Sequence, residues 1–334
     1  MEDIARKLQD GDQRALSRLI TSLERGDRET AAVMKTIDPV TGRCYTIGIT
    51  GPPGAGKSTI VDRLTEQLRG EGLTVGIIGV DPSSPFSGGA LLGDRIRMQR
   101  HYLDPGVFIR SVATRGHLGG VPRLVKTMVR LLDAAGKDIV LVETVGVGQA
   151  ELGIMGVADT VLVALMPDSG DAVQALKAGI MEIADIYLVN KADREGANQM
   201  ATVINAMLHT AGTQPDWQPP VLLTTAQTGQ GMKELWDQIQ LHRGHLEDSS
   251  QLLARRRQRR EQEFIEAVEE ELGRRLRELV EKDPEVACTI KSVAEKGLEP
   301  YSAALEMLET RWAMGGLPLV EKETEDEKET EDKH

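Results

Sequence analysis

The sequence predicts an α/β fold, a mostly parallel sheet covered by helices, with helical extensions at both ends. Three observations carry this. Seven short β-branched runs lie between residues 44 and 226, they alternate with helix-length stretches, and they are apolar on both faces. Strands of that kind must be covered on both sides, as in parallel α/β sheets. Before and after this block, apolar residues recur at three- and four-residue spacing instead.

Taken in order, residues 2–38 predict helices, because Ile4, Leu8, Leu16, Leu19, Ile20 and Leu23 share a helical stripe. The strand runs follow: CYTIGIT from Cys44, then TVGIIGV, VFIRSVA, DIVLVET, TVLVALM, IYLVN and VLLTTA. Right-handed crossovers place their carboxyl ends, and any ligand site, along one edge of the sheet. The strand signal stops after Leu246. Residues 250–281 predict one long charged helix with an apolar stripe of Leu252, Leu253, Phe264, Ile265, Val268, Leu272, Leu276, Leu279 and Val280,. Pro284 and Pro300 punctuate two more helices. From Glu321 the KETED repeat has almost no apolar residues and predicts disorder,. The expected organisation is a helical region at 1–40, a nucleotide-binding domain at 41–245, a helical region at 246–320 and an acidic tail at 321–334.

Composition narrows the function. The 334 residues hold 40 Lys+Arg against 52 Asp+Glu, a net charge of -12. Residues 321–334 contribute eight acids and three lysines, or -5, which leaves -7 on the rest. Neither value suits binding along a nucleic-acid backbone. Two cysteines, Cys44 and Cys288, exclude a disulfide scaffold or thiolate metal site and point to a reducing compartment,. No apolar run reaches the ~18 residues of a membrane span, and the first twenty residues lack a signal-peptide core. A cytoplasmic protein is expected.

The strongest motif is Gly51-Pro52-Pro53-Gly54-Ala55-Gly56-Lys57-Ser58-Thr59, a G-x-x-x-x-G-K-[ST] phosphate loop between a strand and a helix,. It narrows the α/β prediction to a P-loop NTPase. Glycines let backbone N–H groups converge on phosphates, and the helix adds its positive end. Lys57 brings a full charge to the β- and γ-phosphates, and Ser58 offers a hydroxyl to Mg²⁺.

Asn190-Lys191-Ala192-Asp193 follows the strand IYLV. A carboxylate there can accept both N1–H and the 2-amino group of guanine, a donor pair adenine lacks, so GTP is favoured over ATP. Thr225 and Ala226 end the last strand where a further base-contacting loop belongs. Glu143 closes the strand DIVLV and can hold Mg²⁺ through water, and Gly146, three residues later, can approach the γ-phosphate with its N–H. Ras-like proteins place Asp at the acid position and Gln after the glycine. Val147 stands there in this chain and Gln149 is displaced, so slow intrinsic hydrolysis is expected. Asp81, at the end of the second strand, and Asp94, in SGGALLGDRIRM, complete a carboxylate set suited to Mg²⁺. Asp81 reads equally as a turn cap before Pro82, and Asp94 as a helix-surface charge.

The runs GVDPSSPFSGGALLGDRIRM, ATRGHLGG, ETVGVGQAE, DAVQALKAGIMEIADI and NKAD together resemble the MeaB/ArgK family, the GTPase chaperones of adenosylcobalamin-dependent acyl-CoA mutases, densely from about Arg43 to Leu241. The resemblance implies a homodimeric P-loop GTPase, paired through its C-terminal helices. GTP turnover would gate cofactor loading and protect or rescue a mutase, methylmalonyl-CoA mutase foremost, with a cobalamin adenosyltransferase as a further candidate partner. It assigns Lys57, Ser58 and Thr59 to phosphates and Mg²⁺, Asp81, Asp94 and Glu143 to Mg²⁺ and switch coupling, and Asn190, Lys191 and Asp193 to guanine. In an additional switch loop, from Pro167 to Gly179, Asp171 and Lys177 would respond to the mutase. From the residues alone, Asp171 is equally a helix N-cap.

Other features have plainer readings. Arg255, Arg256, Arg257, Arg259 and Arg260 are expected to face Glu261, Glu263, Glu266 and Glu269 of their own helix,. His101 and His117 suggest no zinc site, and Trp217, Trp236 and Trp312 suggest packing. An ATP-dependent kinase linked to amino-acid transport and a non-catalytic nucleotide-dependent scaffold remain alternatives.

Overall fold

In the computed structural model, residues 2–25, 27, 29–81, 98, 100–113, 123–144, 153–167, 182–210 and 216–313 are described. Three N-terminal helices, α1 (Glu2–Gln9), α2 (Gln13–Arg25) and α3 (Glu29–Ile37), precede the sheet. The seven predicted runs form β1 (Tyr45–Thr50), β2 (Val75–Asp81), β3 (Val107–Ala113), β4 (Ile139–Thr144), β5 (Thr160–Leu165), β6 (Ile186–Asn190) and β7 (Val221–Thr224). Between and after them lie α4 (Lys57–Gly70), α5 (Arg123–Ala134), α6 (Ala197–Thr210), α7 (Met232–Asp248), α8 (Gln251–Lys282), α9 (Pro284–Ala294) and α10 (Pro300–Ala313).

The strands form one sheet in the order β3-β2-β4-β1-β5-β6-β7, and the pairings are parallel. Strands β2 to β4 lie on one side of β1 and β5 to β7 on the other. The direction of winding therefore reverses at β1, and the crevice beyond its carboxyl end is where such sheets bind ligands. The period-two alternation divides the core into two layers. Tyr45, Ile47, Ile49, Ile139 and Leu141 pack with Ile60, Leu64 and Leu68 of α4 and Leu235 and Ile239 of α7. On the opposite face, Val140 and Val142 pack with Val125, Leu131 and Leu132 of α5, Leu16 and Ile20 of α2, and Ile204 of α6. At about 25 cal/mol per Å² of apolar area, these layers are the main stabilising term of the fold.

The arginine cluster of α8 corrects one expectation. Arg256 donates to Asp159 at 2.6 Å and to the Gly42 and Cys44 carbonyls at 2.7 and 2.8 Å. Arg259 donates to Asp159 at 2.6 Å and to the Val157 carbonyl at 2.8 Å. Arg260 reaches Asp38 at 2.8 Å, and Arg255 lies 3.6 Å from Asp185. For Arg256 and Arg259 these partners replace the glutamates of the helix's own face, whereas Arg260 also feels the charge of Glu263. The physical reason is Asp159, which is 2% exposed at the amino end of β5 and would be very unfavourable there without paired donors,.

The chain divides into two compact units, one ending at Glu263 and one starting at Phe264, a division that falls within α8. In the second unit, Asp283 caps α9 by accepting from the Glu285 and Val286 amides, with Pro284 at the first helical position,. Glu299 accepts from the Tyr301 and Ser302 amides at the start of α10. Val286 and Ala303 are its buried apolar residues among those described, whereas Phe264 is 70% and Tyr301 71% exposed. Ile265, Val268, Ile290, Leu298, Leu305 and Leu308 are exposed as well.

Candidate functional site

The phosphate loop occupies the turn from β1 to α4. Gly51 has φ +134°, and a Cβ there would lie 2.0 Å from the Ala164 carbonyl oxygen of β5. Gly56, at the N-cap of α4, has φ +87°, and a Cβ there would lie 2.4 Å from Asn190 Nδ2. Both positions therefore require glycine by conformation and by space. Pro53 and Gly54 lie exposed at the rim, and Gly51, Pro52 and Ala55 are buried beneath. The loop thus presents backbone N–H groups and the positive end of α4 to the crevice beyond β1.

Lys57, 6% exposed, donates to the Gly51 and Pro52 carbonyls at 2.7 and 3.1 Å. Carbonyls are ligands that a phosphate can replace, since an anionic oxygen adds a full Coulomb attraction to the ammonium that a neutral carbonyl lacks. The Ser58 hydroxyl donates to Glu143 Oε1 at 2.6 Å, both groups buried. Glu143 shares a rung with Ile49 of β1 and Gly79 of β2, which brings β1, β4 and β2 together at the phosphate loop. Thr144 donates to Thr50 at 2.9 Å one rung further on. A hydroxyl and a carboxylate this close form a hard-oxygen pair that fits Mg²⁺. Thr59 is exposed on the first turn of α4.

The base side is built around Asn190, 3% exposed at the end of β6. Its Nδ2 donates to the Ala55 carbonyl at 2.8 Å. Its Oδ1 accepts from the Ala226 amide at 3.1 Å and the Thr224 hydroxyl at 3.3 Å. One amide thus joins the phosphate loop to the loop after β7. Lys191 follows with φ +58°, a left-handed conformation that costs a non-glycine residue about 1–2 kcal/mol, and such strain concentrates at functional sites,. The Ala192 amide donates to the Thr224 carbonyl at 3.0 Å and ties this turn to β7. Lys191 Nζ points at Met166 Sδ, 3.4 Å away. Asp193 stands exposed beyond the turn, where its carboxylate can accept an incoming donor pair, while Thr225 and Ala226 are buried.

The structure therefore brings together Gly51 through Thr59, Glu143, Asn190, Lys191, Asp193, Thr225 and Ala226 at one sheet edge. Asp81 closes β2 one rung beyond Thr144 of β4, as its backbone register shows. Asp94, Gly146, Asp171, Lys177 and His117 lie outside the described residues. Sequence reading missed Arg63 of α4, which grips the loop after β7, because a lone arginine in a helix carries no signal. His101 is buried against Asp62 at 3.1 Å, and no group of three His, Cys, Asp or Glu among the described residues could hold a metal. No helix among them is long and apolar enough to cross a membrane.

Comparison with known proteins points to one family. Residues 16–281 match the family model described as methylmalonyl Co-A mutase-associated GTPase MeaB. A protein of Pyrococcus abyssi with a provisional GTPase name is 46% identical over 324 residues, covering 96% of this chain and 99% of its own. GTPase ArgK of Escherichia coli is 34% identical, covering 91% of this chain and 94% of its own. A solved structure titled LAO/AO transport system kinase is 28% identical, with a TM-score of 0.70 over 92% of this chain and 96% of its own.

Proposed function

We propose, from the premise that this chain belongs to the MeaB family of methylmalonyl-CoA mutase-associated GTPases, that its GTP turnover serves an acyl-CoA mutase. As a chaperone it would gate adenosylcobalamin loading and protect or reactivate the mutase. The observation that carries the reading is Asn190, whose single amide couples phosphate loop and base loop. A change at the γ-phosphate can thereby be felt across the sheet edge from which the connecting loops emerge.

The residues have a consistent division of labour. Lys57 exchanges its two loop carbonyls for β- and γ-phosphate oxygens, and backbone N–H groups of Gly54 through Thr59 cradle the phosphates. Asp193 selects guanine, Lys191 packs along the base, and Thr225 and Ala226 close its edge. Ser58 and Glu143, with Asp81 and Asp94, would hold Mg²⁺, which when bound neutralises phosphate charge in the transition state. Phosphoryl transfer needs positioning and charge stabilisation rather than covalent chemistry, so a partner can complete the site. Gly146, Asp171 and Lys177 are proposed as the residues whose positions follow the nucleotide state.

The exposed apolar side chains from Phe264 to Leu308 support the reading of residues 246–320 as a homodimer contact, and a cobalamin adenosyltransferase is a further candidate partner. The kinase wording in the solved structure's title belongs to that protein. Competition of ATP and GTP for the site separates the two roles. The chaperone reading is tested by transfer of adenosylcobalamin into apo-mutase, with this protein loaded with GDP or a non-hydrolysable GTP analogue. Loading that differs between the two states is expected, and loading indifferent to nucleotide rejects the gate.

A further inference from the structure

We propose that Arg63 is a positioning residue for guanine-nucleotide binding, holding the base loop onto the helix that carries the phosphate lysine. The inference rests on reading Thr225–Gln227 as the base loop. Arg63 lies in α4, six residues after Lys57. Its Nε donates to the Ala226 carbonyl at 3.2 Å, and one Nη donates to the Gln227 carbonyl at 2.8 Å. The other Nη donates to Glu66 at 2.8 Å, one turn further along the same helix, and fixes the plane of the guanidinium,.

The loop is gripped from two directions. Asn190 accepts the Ala226 N–H on one side, and Arg63 takes the Ala226 and Gln227 carbonyls on the other. The Thr225 carbonyl is already used within the turn by the amides of Thr228 and Gly229. The Ala226 carbonyl also accepts the Gly229 amide at 3.2 Å, so Arg63 adds a second donor there and takes the adjacent Gln227 carbonyl with the same planar fork, a geometry suited to arginine and not to lysine,. Because α4 starts at Lys57, one rigid helix sets both the phosphate and the base ends of the site. Without the fork, a nucleotide would have to order the loop as it bound, and that cost appears chiefly as faster release.

The test uses the full chain with a fluorescent GDP analogue, measuring equilibrium Kd and release rate, and single-turnover GTP cleavage at saturation. Arg63→Ala is expected to weaken binding about tenfold through release, since charge-assisted bonds are lost at a half-buried position. The saturated cleavage rate should change far less. Arg63→Lys, reaching one carbonyl, should fall between, and decides the matter if Arg63→Ala does not fold. Glu66→Gln keeps both carbonyl bonds and should bind within about twofold of the native chain. Asp193→Asn provides the separate control, because an asparagine can donate to the 2-carbonyl of xanthine where the carboxylate accepted from guanine. If Asp193→Asn shifts preference towards xanthosine nucleotide but the Arg63 variants bind like the native protein, the Arg63 inference alone is overturned. If Asp193→Asn leaves guanine preference intact, the base-loop reading falls and takes the inference with it. A loss confined to the cleavage rate, with Kd unchanged, also overturns it.

Discussion

The two edges of the sheet both bury charge, and they handle it in opposite ways. At the carboxyl edge, Lys57 donates to two loop carbonyls and Ser58 to Glu143, contacts that phosphates and Mg²⁺ can replace. At the amino edge, Asp159 is closed in by Arg256, Arg259 and the Thr46 amide, and Asp133 accepts from the amides of Gly42 and Cys44. A cavity of about 150 Å³ opens beside this second cluster, lined by Cys44, Asp133, Asp159 and Arg256 among others, and is below the ~300 Å³ of ordinary small-molecule sites. Burial pushes the Cys44 thiol up to about 12, helped by Asp133 and Asp159, so it is inert,. Buried charge by itself does not mark a site. What distinguishes the two edges is whether the partners can be exchanged.

That distinction can be broken, starting with the largest effect. Asp159→Ala should lower unfolding free energy by about 3–5 kcal/mol, because two arginines lose their buried partner. GTP affinity of the folded fraction should stay within about twofold, the two edges being separate in structure. Denaturant unfolding and nucleotide titration read both quantities. At the other edge, Lys57→Ala should lower single-turnover cleavage by about 10²–10³-fold, the scale of losing one preorganised charge stabiliser, while the unfolding midpoint moves far less. If the two variants exchanged these phenotypes, the comparison would be wrong.

Gly56→Ala comes next. The left-handed conformation and the contact with Asn190 should weaken guanine-nucleotide binding about tenfold, from strain of about 1–2 kcal/mol,. The smallest effect is read against pH. Burial alone would raise the Asp159 carboxyl, yet the hydrogen bonds and charges of Arg256 and Arg259 hold it below its ordinary value. Its folded pKa being depressed, its contribution is complete above the unfolded value of about 3.9 and is lost as pH falls through the folded one. Asp159→Asn should therefore flatten the stability profile below about pH 4 and leave the neutral range without slope. In the second unit, the proposed homodimer contact predicts that Phe264→Asp lowers the mass read by light scattering from that of a dimer to that of a monomer at equal concentration; an unchanged mass removes that contact.

Much of the carboxyl edge was legible in the sequence because its requirements are local. Gly51 and Gly56 must be glycine for φ and space, and Lys57 and Ser58 follow at fixed offsets. All seven strands were legible for a similar reason, since apolar-on-both-faces runs such as IVLV and YTIGIT have one good place to go. The amino edge was not. Asp159 and Arg256 are 97 residues apart, and nothing in the run of arginines says that a buried aspartate waits across the fold. For Arg256 and Arg259 the helix's own glutamates were the nearer partners in sequence and the wrong ones in space. Arg63 escaped notice likewise, since its value depends on a loop 163 residues away.

The most direct measurement is equilibrium binding of this protein to methylmalonyl-CoA mutase by titration calorimetry, once with GDP and once with a non-hydrolysable GTP analogue. A mutase that binds with affinities differing between the two states, a difference lost in Lys57→Ala, is the expected result. Equal affinity in both states, or no binding in either, would contradict a switch that the mutase reads.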